Sequence, residues 1–219
     1  MSPLENLADS QAAVLQVDGL CFAYPQRPLF NGLTASVPGG VCLVRGGDGS
    51  GKTTLLRLLA GELAAQAGTL QINGVALADQ ASSYREQVFW LDTRTVDHDQ
   101  LTALRYFALQ RLRYPGFLPA ASAGMAELVA GLSLAEHLEK PLYMLSTGSK
   151  RKVWLAAAFA AGARVTLLDD PFAALDKPSV AFVSRFLAGV ANDSKRSWIV
   201  AHYDVLGAVP LAKVIELPD

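Results

Sequence analysis

The chain is poor in sulfur and nearly neutral in charge. Its 219 residues include two cysteines. Cys21 and Cys42 stand in apolar, strand-like stretches without metal-ligand spacing, so both read as reduced core thiols rather than as a disulfide or metal site. Nineteen basic residues against twenty acidic ones leave a formal net charge of -1. That balance implies no polyanion, hence no nucleic acid, and no anionic lipid surface as partner. Long apolar runs are also missing. The most apolar segment, Val153 to Ala163, is closed off by Lys152 and Arg164 and falls short of the roughly 18 residues of a spanning helix. The opening MSPLENLADSQ carries neither the basic nor the apolar stretch of a secretory signal, so a cytoplasmic location is expected. Internal repeats and low-complexity tracts are absent as well. Against these absences, a composition that is 51% hydrophobic with mean hydropathy +0.26 suggests apolar surface reserved for a partner.

What the chain does have is a cluster of glycines in VRGGDGSGKTTLLRLLAGEL, residues 44–63. Glycine weakens regular structure, so its concentration at Gly46, Gly47, Gly49 and Gly51 calls for a compensating role. The spacing Gly46-x-x-x-x-Gly51-Lys52-Thr53 is that of a phosphate-binding loop. In such a loop backbone N–H groups wrap the phosphates, the lysine reaches the β/γ oxygens and the threonine hydroxyl ligates Mg²⁺. The intervening Asp48 and Ser50, and Thr54 after Thr53, belong to the same candidate site. The flanks agree, because Val41 to Val44 form an apolar strand while Leu55, Leu56, Leu59 and Leu63 recur at helical intervals. The helix start then points its free N–H groups at the anion.

Residues 13–45 read as three strands, GTLQINGVAL as a strand pair turning at Asn73-Gly74, and EQVFWLD as a short buried strand. From Leu101 to about Lys140 the pattern is helical, with Leu101, Leu104, Ala108 and Leu112 on one face and breaks at Pro115 and Pro119. SKRKVWLAAAFAAG is a helix, ARVTLLDD a strand, KPSVAFVSRFLAGVAND a helix opened by Pro178, and RSWIVAH and LAKVIELP are strands. Alternating apolar strands and helices argue for a parallel sheet covered on both faces. Asp169, closing the strand in VTLLDDP, is placed to hold Mg²⁺, as an aspartate at that point does in phosphate-loop ATPases.

Between these motifs lies LSTGSKRKVWLAAAFA; AALD and IVAHYD follow, and LCFAYPQRPLF precedes. In the order and spacing of five motifs, from about Ala13 onward, the chain resembles a single nucleotide-binding subunit of an ATP-binding cassette (ABC) transporter. The resemblance implies an α/β phosphate-loop NTPase fold with a mostly parallel core sheet, an N-terminal antiparallel β subdomain and a small helical lobe. One domain over 1–219 is expected, with core and β subdomain in 13–92 and 149–219, and the lobe in 93–148. Tyr24 would stack on adenine, or is an ordinary strand aromatic. Ser146 and Gly148, in Leu145-Ser146-Thr147-Gly148-Ser149, would meet the γ-phosphate held by an opposite subunit, or only cap a helix. Two copies would then pack head to tail around two ATP molecules, with Asp176 at the shared interface. His202 would reach the γ-phosphate and orient the attacking water, or is a structural histidine. His98 and His137 match nothing and go to surface or core packing.

Two departures stand out. Where this resemblance leads one to expect a glutamate that polarises the water, the chain has Asp170, shorter by one methylene. From this, slow hydrolysis with ATP binding and closure retained is expected. Where a glutamine is expected to touch Mg²⁺, Arg94 stands, able to pair with phosphate oxygens but not to ligate a metal, or else lies in a solvated loop. The implied function is an ATPase subunit that drives an integral-membrane permease from its cytoplasmic face. A groove beside TRTVDHDQLTALRYF would grip a cytoplasmic helix of that permease. The compact length is most like the small export cassettes, such as the haem-exporter ATP-binding subunit. Rival readings are a weakly hydrolytic ATP-dependent clamp or regulator, and a non-transport cassette acting on ribosomes or DNA, against which the single cassette and the lack of basic patches argue.

Overall fold

A computed structural model describes residues 13–218; the opening segment read above for targeting lies outside them. Strands β1 (Leu15–Tyr24), β2 (Arg27–Val37), β4 (Ala67–Ile72) and β5 (Val75–Ala76) form an antiparallel sheet in the order β2-β1-β4-β5. A five-stranded sheet carries β6 (Val88–Phe89), β7 (Val165–Asp169), β8 (Ser197–His202), β3 (Gly40–Arg45) and β9 (Lys213–Glu216) in that order, every pair parallel.

The parallel sheet is buried on both faces because successive residues of its central strands serve opposite cores. Val41, Leu43, Trp198 and Val200 face one cluster, while Cys42, Val44, Ile199 and Ala201 face the other. The second cluster takes Leu55, Leu56 and Leu59 of α1 (Lys52–Leu59). The first takes the apolar run of α5 (Thr147–Ala160) and the inner face of α6 (Lys177–Val190). There Phe159 stacks on Phe186 at 3.9 Å, and both rings meet Trp198 edge-on.

The sequence-assigned lobe holds α3 (Ala103–Arg113), α4 (Ala123–Gly131) and two short 3₁₀ turns, and its core residues join the first cluster. One expectation is corrected here. Of the face drawn through Leu101, Leu104, Ala108 and Leu112, only Leu101 packs against the core, while Leu104 and Leu112 are 41% and 85% exposed. α3 instead buries Ala103, Tyr106, Phe107 and Gln110, because two adjacent aromatic rings remove more apolar area from water than the thinner leucine stripe. α2 (Ala81–Glu86) had no signal in the sequence reading; it is tied down by the buried Tyr84, whose hydroxyl donates to the Leu59 carbonyl at 2.8 Å. α1 also stops at Leu59, short of Leu63, and the strand expected over EQVFWLD shrinks to Val88–Phe89.

Candidate nucleotide site

β8 lies between β7 and β3, in a register that sets Asp169 beside Ala201 and Arg45 beside His202. Three chain segments therefore leave the sheet side by side at its carboxyl end, where open α/β sheets bind ligands. They are the glycine loop after β3, the Asp169-Asp170 pair after β7, and His202 closing β8.

Gly51 adopts φ 99°, a left-handed conformation, and a Cβ there would sit 3.2 Å from the Phe30 ring, so the turn into α1 depends on glycine. Gly49 is likewise left-handed, and Asp48 beside it is exposed at the loop tip. Ser50 is buried with its Oγ unpaired within the protein. Lys52 Nζ donates to the carbonyls of Gly46 and Gly47 at 2.8 and 2.6 Å, so the ammonium lies over the loop. Thr53 Oγ1 donates to Asp169 Oδ2 at 2.7 Å, joining two motifs 116 residues apart. Burial, and next the Thr53 hydrogen bond acting the other way, leave the Asp169 carboxyl above its ordinary value, with the Asp170 charge adding to the rise.

Asp170 Oδ1 lies 3.7 Å from His202 Nε2, outside hydrogen-bond range. Asp170 is also one of few non-glycine residues with positive φ, at 44°. Tyr24 is 41% exposed, stands edge-on to Phe22 and approaches Thr54 Oγ1 through its hydroxyl at 3.4 Å. Ser146 is exposed and caps α5, its Oγ accepting from the Ser149 amide at 3.1 Å. Gly148 packs so closely on the turn after β7 that a Cβ would lie 2.5 Å from the Ala174 carbonyl oxygen. Asp176 caps α6 and accepts from Lys152 Nζ at 2.5 Å, which holds its carboxyl down to about 2.

Arg94 is drawn into a bidentate pair with Asp92, at 3.0 and 3.1 Å, with its side chain 72% exposed. It remains near enough to Asp169 for each to feel the other's charge. Of the unassigned histidines, His137 Nε2 lies 3.4 Å from Ser149 Oγ, which itself accepts a hydrogen bond from Ser146 Oγ at 3.0 Å, and His98 packs against the Tyr106 ring.

Two arginines at the site went unnoticed in the sequence. Arg27, opposite Tyr24 in the β1–β2 register, donates to the Gly49 carbonyl at 2.7 Å. Arg151 reaches the Asp170 carbonyl at 2.7 Å. The second had a signal: SKRK puts three cations at the positive end of a helix, an arrangement that needs outside partners.

The family described as ABC transporter matches residues 31–173. The cytochrome c biogenesis ATP-binding export protein CcmA of Salmonella typhi is 31% identical over 193 residues, covering 88% of this chain and 91% of that one. The CcmA of Legionella pneumophila is 33% identical over 173 residues, covering 78% and 84%. A Pyrococcus furiosus structure described as an ABC transporter ATP-binding protein shares the fold, with TM-score 0.75, 24% identity and coverage of 93% and 96%. The chain belongs to the ABC transporter family as an ATP-binding subunit, an ATPase whose activity is coupled to transport by a membrane permease.

Proposed function

We propose that the carboxyl end of the parallel sheet binds Mg-ATP and hydrolyses it when two copies close head to tail. The observation that carries this reading is the Thr53–Asp169 contact beside Lys52. It sets a hydroxyl and a carboxylate, two hard oxygen donors suited to Mg²⁺, at the entrance of an amide-lined loop. Among the described residues no cluster of three or more His, Cys, Asp or Glu side chains converges. That fits an ion held by Thr53 and Asp169 together with the nucleotide's own phosphates. When bound, the ion would neutralise charge on the β and γ oxygens.

Lys52 exchanges its two carbonyl contacts for phosphate oxygens, Tyr24 offers its ring to adenine, and the amides of residues 46–54 wrap the phosphates. A water oxygen attacks the γ-phosphorus, the bond to the β-phosphate oxygen breaks, and ADP departs with the electron pair. Asp170 takes the water's proton, and His202 orients the water against the γ-phosphate. Ser146 and Gly148 of a second copy complete the enclosure, with the Asp176 turns at the interface. Arg94, released from Asp92, is available to phosphate oxygens.

Residues 93–148 form the lobe that moves on closure. Its exposed leucines, and the polar groove lined by Trp90, Asp92, Thr95, Asp97 and Arg113, would receive a cytoplasmic helix of the permease. Among the described residues no helix is long and apolar enough to cross a membrane, so attachment to the cytoplasmic face would run through that partner. The similarity to proteins named for cytochrome c biogenesis supports an export role of that type. The 3.7 Å gap between Asp170 and His202 favours a second reading, a nucleotide-gated clamp with little turnover.

Titrating the protein with a fluorescent ATP analogue, with and without Mg²⁺, tests the site. Micromolar binding that needs Mg²⁺ and disappears in Lys52→Ala is expected; binding indifferent to Lys52 would overturn the reading. Phosphate release then separates the transport ATPase from the clamp.

A further inference from the structure

The start of α5 carries Lys150, Arg151 and Lys152, where the helix dipole disfavours positive charge. Two of these cations meet carboxylates: Lys150 Nζ lies 2.7 Å from Asp99 Oδ1, and Lys152 Nζ lies 2.5 Å from Asp176 Oδ2. Arg151 is used differently. Its Nη1 donates to the Asp170 carbonyl at 2.7 Å and the Ala173 carbonyl at 3.3 Å, and its Nη2 to Thr93 Oγ1 at 3.4 Å.

These three partners lie on two parts of the chain that the reading above moves relative to each other. Asp170 and Ala173 both lie in the turn after β7, which runs on through Ala174 and holds two left-handed non-glycine residues, Asp170 at φ 44° and Ala174 at φ 59°. Such a turn persists only where its surroundings over-determine it. The Asp170 amide is fixed by the Ala201 carbonyl at 3.0 Å, and its carbonyl by Arg151. Thr93 opens the 93–148 segment. Arg151, Thr93, Asp169 and Pro171 also line one small cavity, so the guanidinium shares a wall with Asp169 as well as holding the Asp170 carbonyl.

We infer that Arg151 is a positioning residue that couples the lobe to hydrolysis: its planar fork holds the Asp170 main chain and passes any displacement of Thr93 to it. A lysine ammonium carries the charge but not the fixed fork that spans two carbonyls and a hydroxyl. This inference rests on the proposed role of Asp170.

The test is single-turnover ATP hydrolysis, with the ATP Kd measured separately, for wild type, Arg151→Gln, Arg151→Lys, Thr93→Val and the Arg151→Gln/Thr93→Val double variant. Arg151→Gln is expected to lower the hydrolysis rate at least tenfold with ATP Kd within twofold of wild type, and Arg151→Lys to recover part of that loss. Thr93→Val is expected to lower the rate about threefold alone and to add nothing on top of Arg151→Gln, because both cut the same connection. Wild-type rates in the Arg151 variants, additive losses, or rate and affinity falling together would overturn it. If Arg151→Gln fails to fold, Arg151→Lys and Thr93→Val decide, and a normal rate in both refutes the coupling. Should wild type neither bind nor hydrolyse ATP, the proposed site itself fails; hydrolysis untouched by Arg151 removes only this inference.

Discussion

Extending Asp170 by one methylene gives the sharpest perturbation of the site. The carboxylate stops 3.7 Å from His202 Nε2; hydrogen-bond range lies about 0.5–1 Å closer, within the reach that one more carbon–carbon bond, about 1.5 Å, supplies. A misplacement near 1 Å can cost about a hundredfold in rate, or about 2.7 kcal/mol of barrier. Asp170→Glu is therefore expected to raise turnover by one to two powers of ten, about 10- to 100-fold. The same structure sets a cost. Residue 170 has φ 44°, a conformation aspartate tolerates better than glutamate, by about 1 kcal/mol. The variant should thus melt about 2–4 °C below wild type while working faster. Steady-state phosphate release at saturating Mg-ATP and a thermal melt read both numbers. An unchanged or lower rate, in a variant that still binds ATP tightly, would refute the assignment of Asp170 as the water's base.

Other expectations follow from single contacts. Gly148→Ala would force a Cβ to 2.5 Å from the Ala174 carbonyl oxygen; it should destabilise the fold by about 1–3 kcal/mol and abolish ATP-driven association, seen by light scattering. Lys152 holds the Asp176 carboxyl down to about 2, so the folded value lies below the unfolded one. The resulting stability is fully present above the ordinary carboxylate value, about pH 4, and is lost as pH falls toward about 2; urea melts of Asp176→Asn and wild type should converge there. Asp176 is half exposed, so solvent screening makes that gap modest. Burial pushes the Cys42 thiol up to about 11, so in native protein a thiol reagent should modify Cys21 and reach Cys42 only on unfolding. Equal reaction rates at both would contradict the burial of Cys42.

The sheet was legible because β3 and β8 are short unbroken apolar runs, as strands buried on both faces must be. Helix α3 misled because Leu104, Ala108 and Leu112 keep perfect helical spacing yet face outward, while Tyr106 and Phe107, adjacent in sequence, take the core. Periodicity reports that a helix has an apolar face, not which of two faces a tertiary neighbour will cover. α2 was invisible because ASSYRE is polar, and one buried tyrosine holds it. In the site, Lys52, Thr53 and Asp169 were readable from motif spacing, since loop and strand geometry leave those side chains few other places. Arg27, Arg151 and the Asp92–Arg94 pair were not, because each depends on how separate segments meet in space.

The central claim is that the loop around Lys52 holds a triphosphate that a second copy must finish enclosing. Asp170→Asn keeps the size of the side chain and removes its charge, so bound ATP should persist and trap the closed pair. Light scattering of this variant with excess Mg-ATP is expected to show a dimer that returns to monomer when ADP replaces ATP. A monomer at every ATP concentration, with ATP demonstrably bound, would contradict the account.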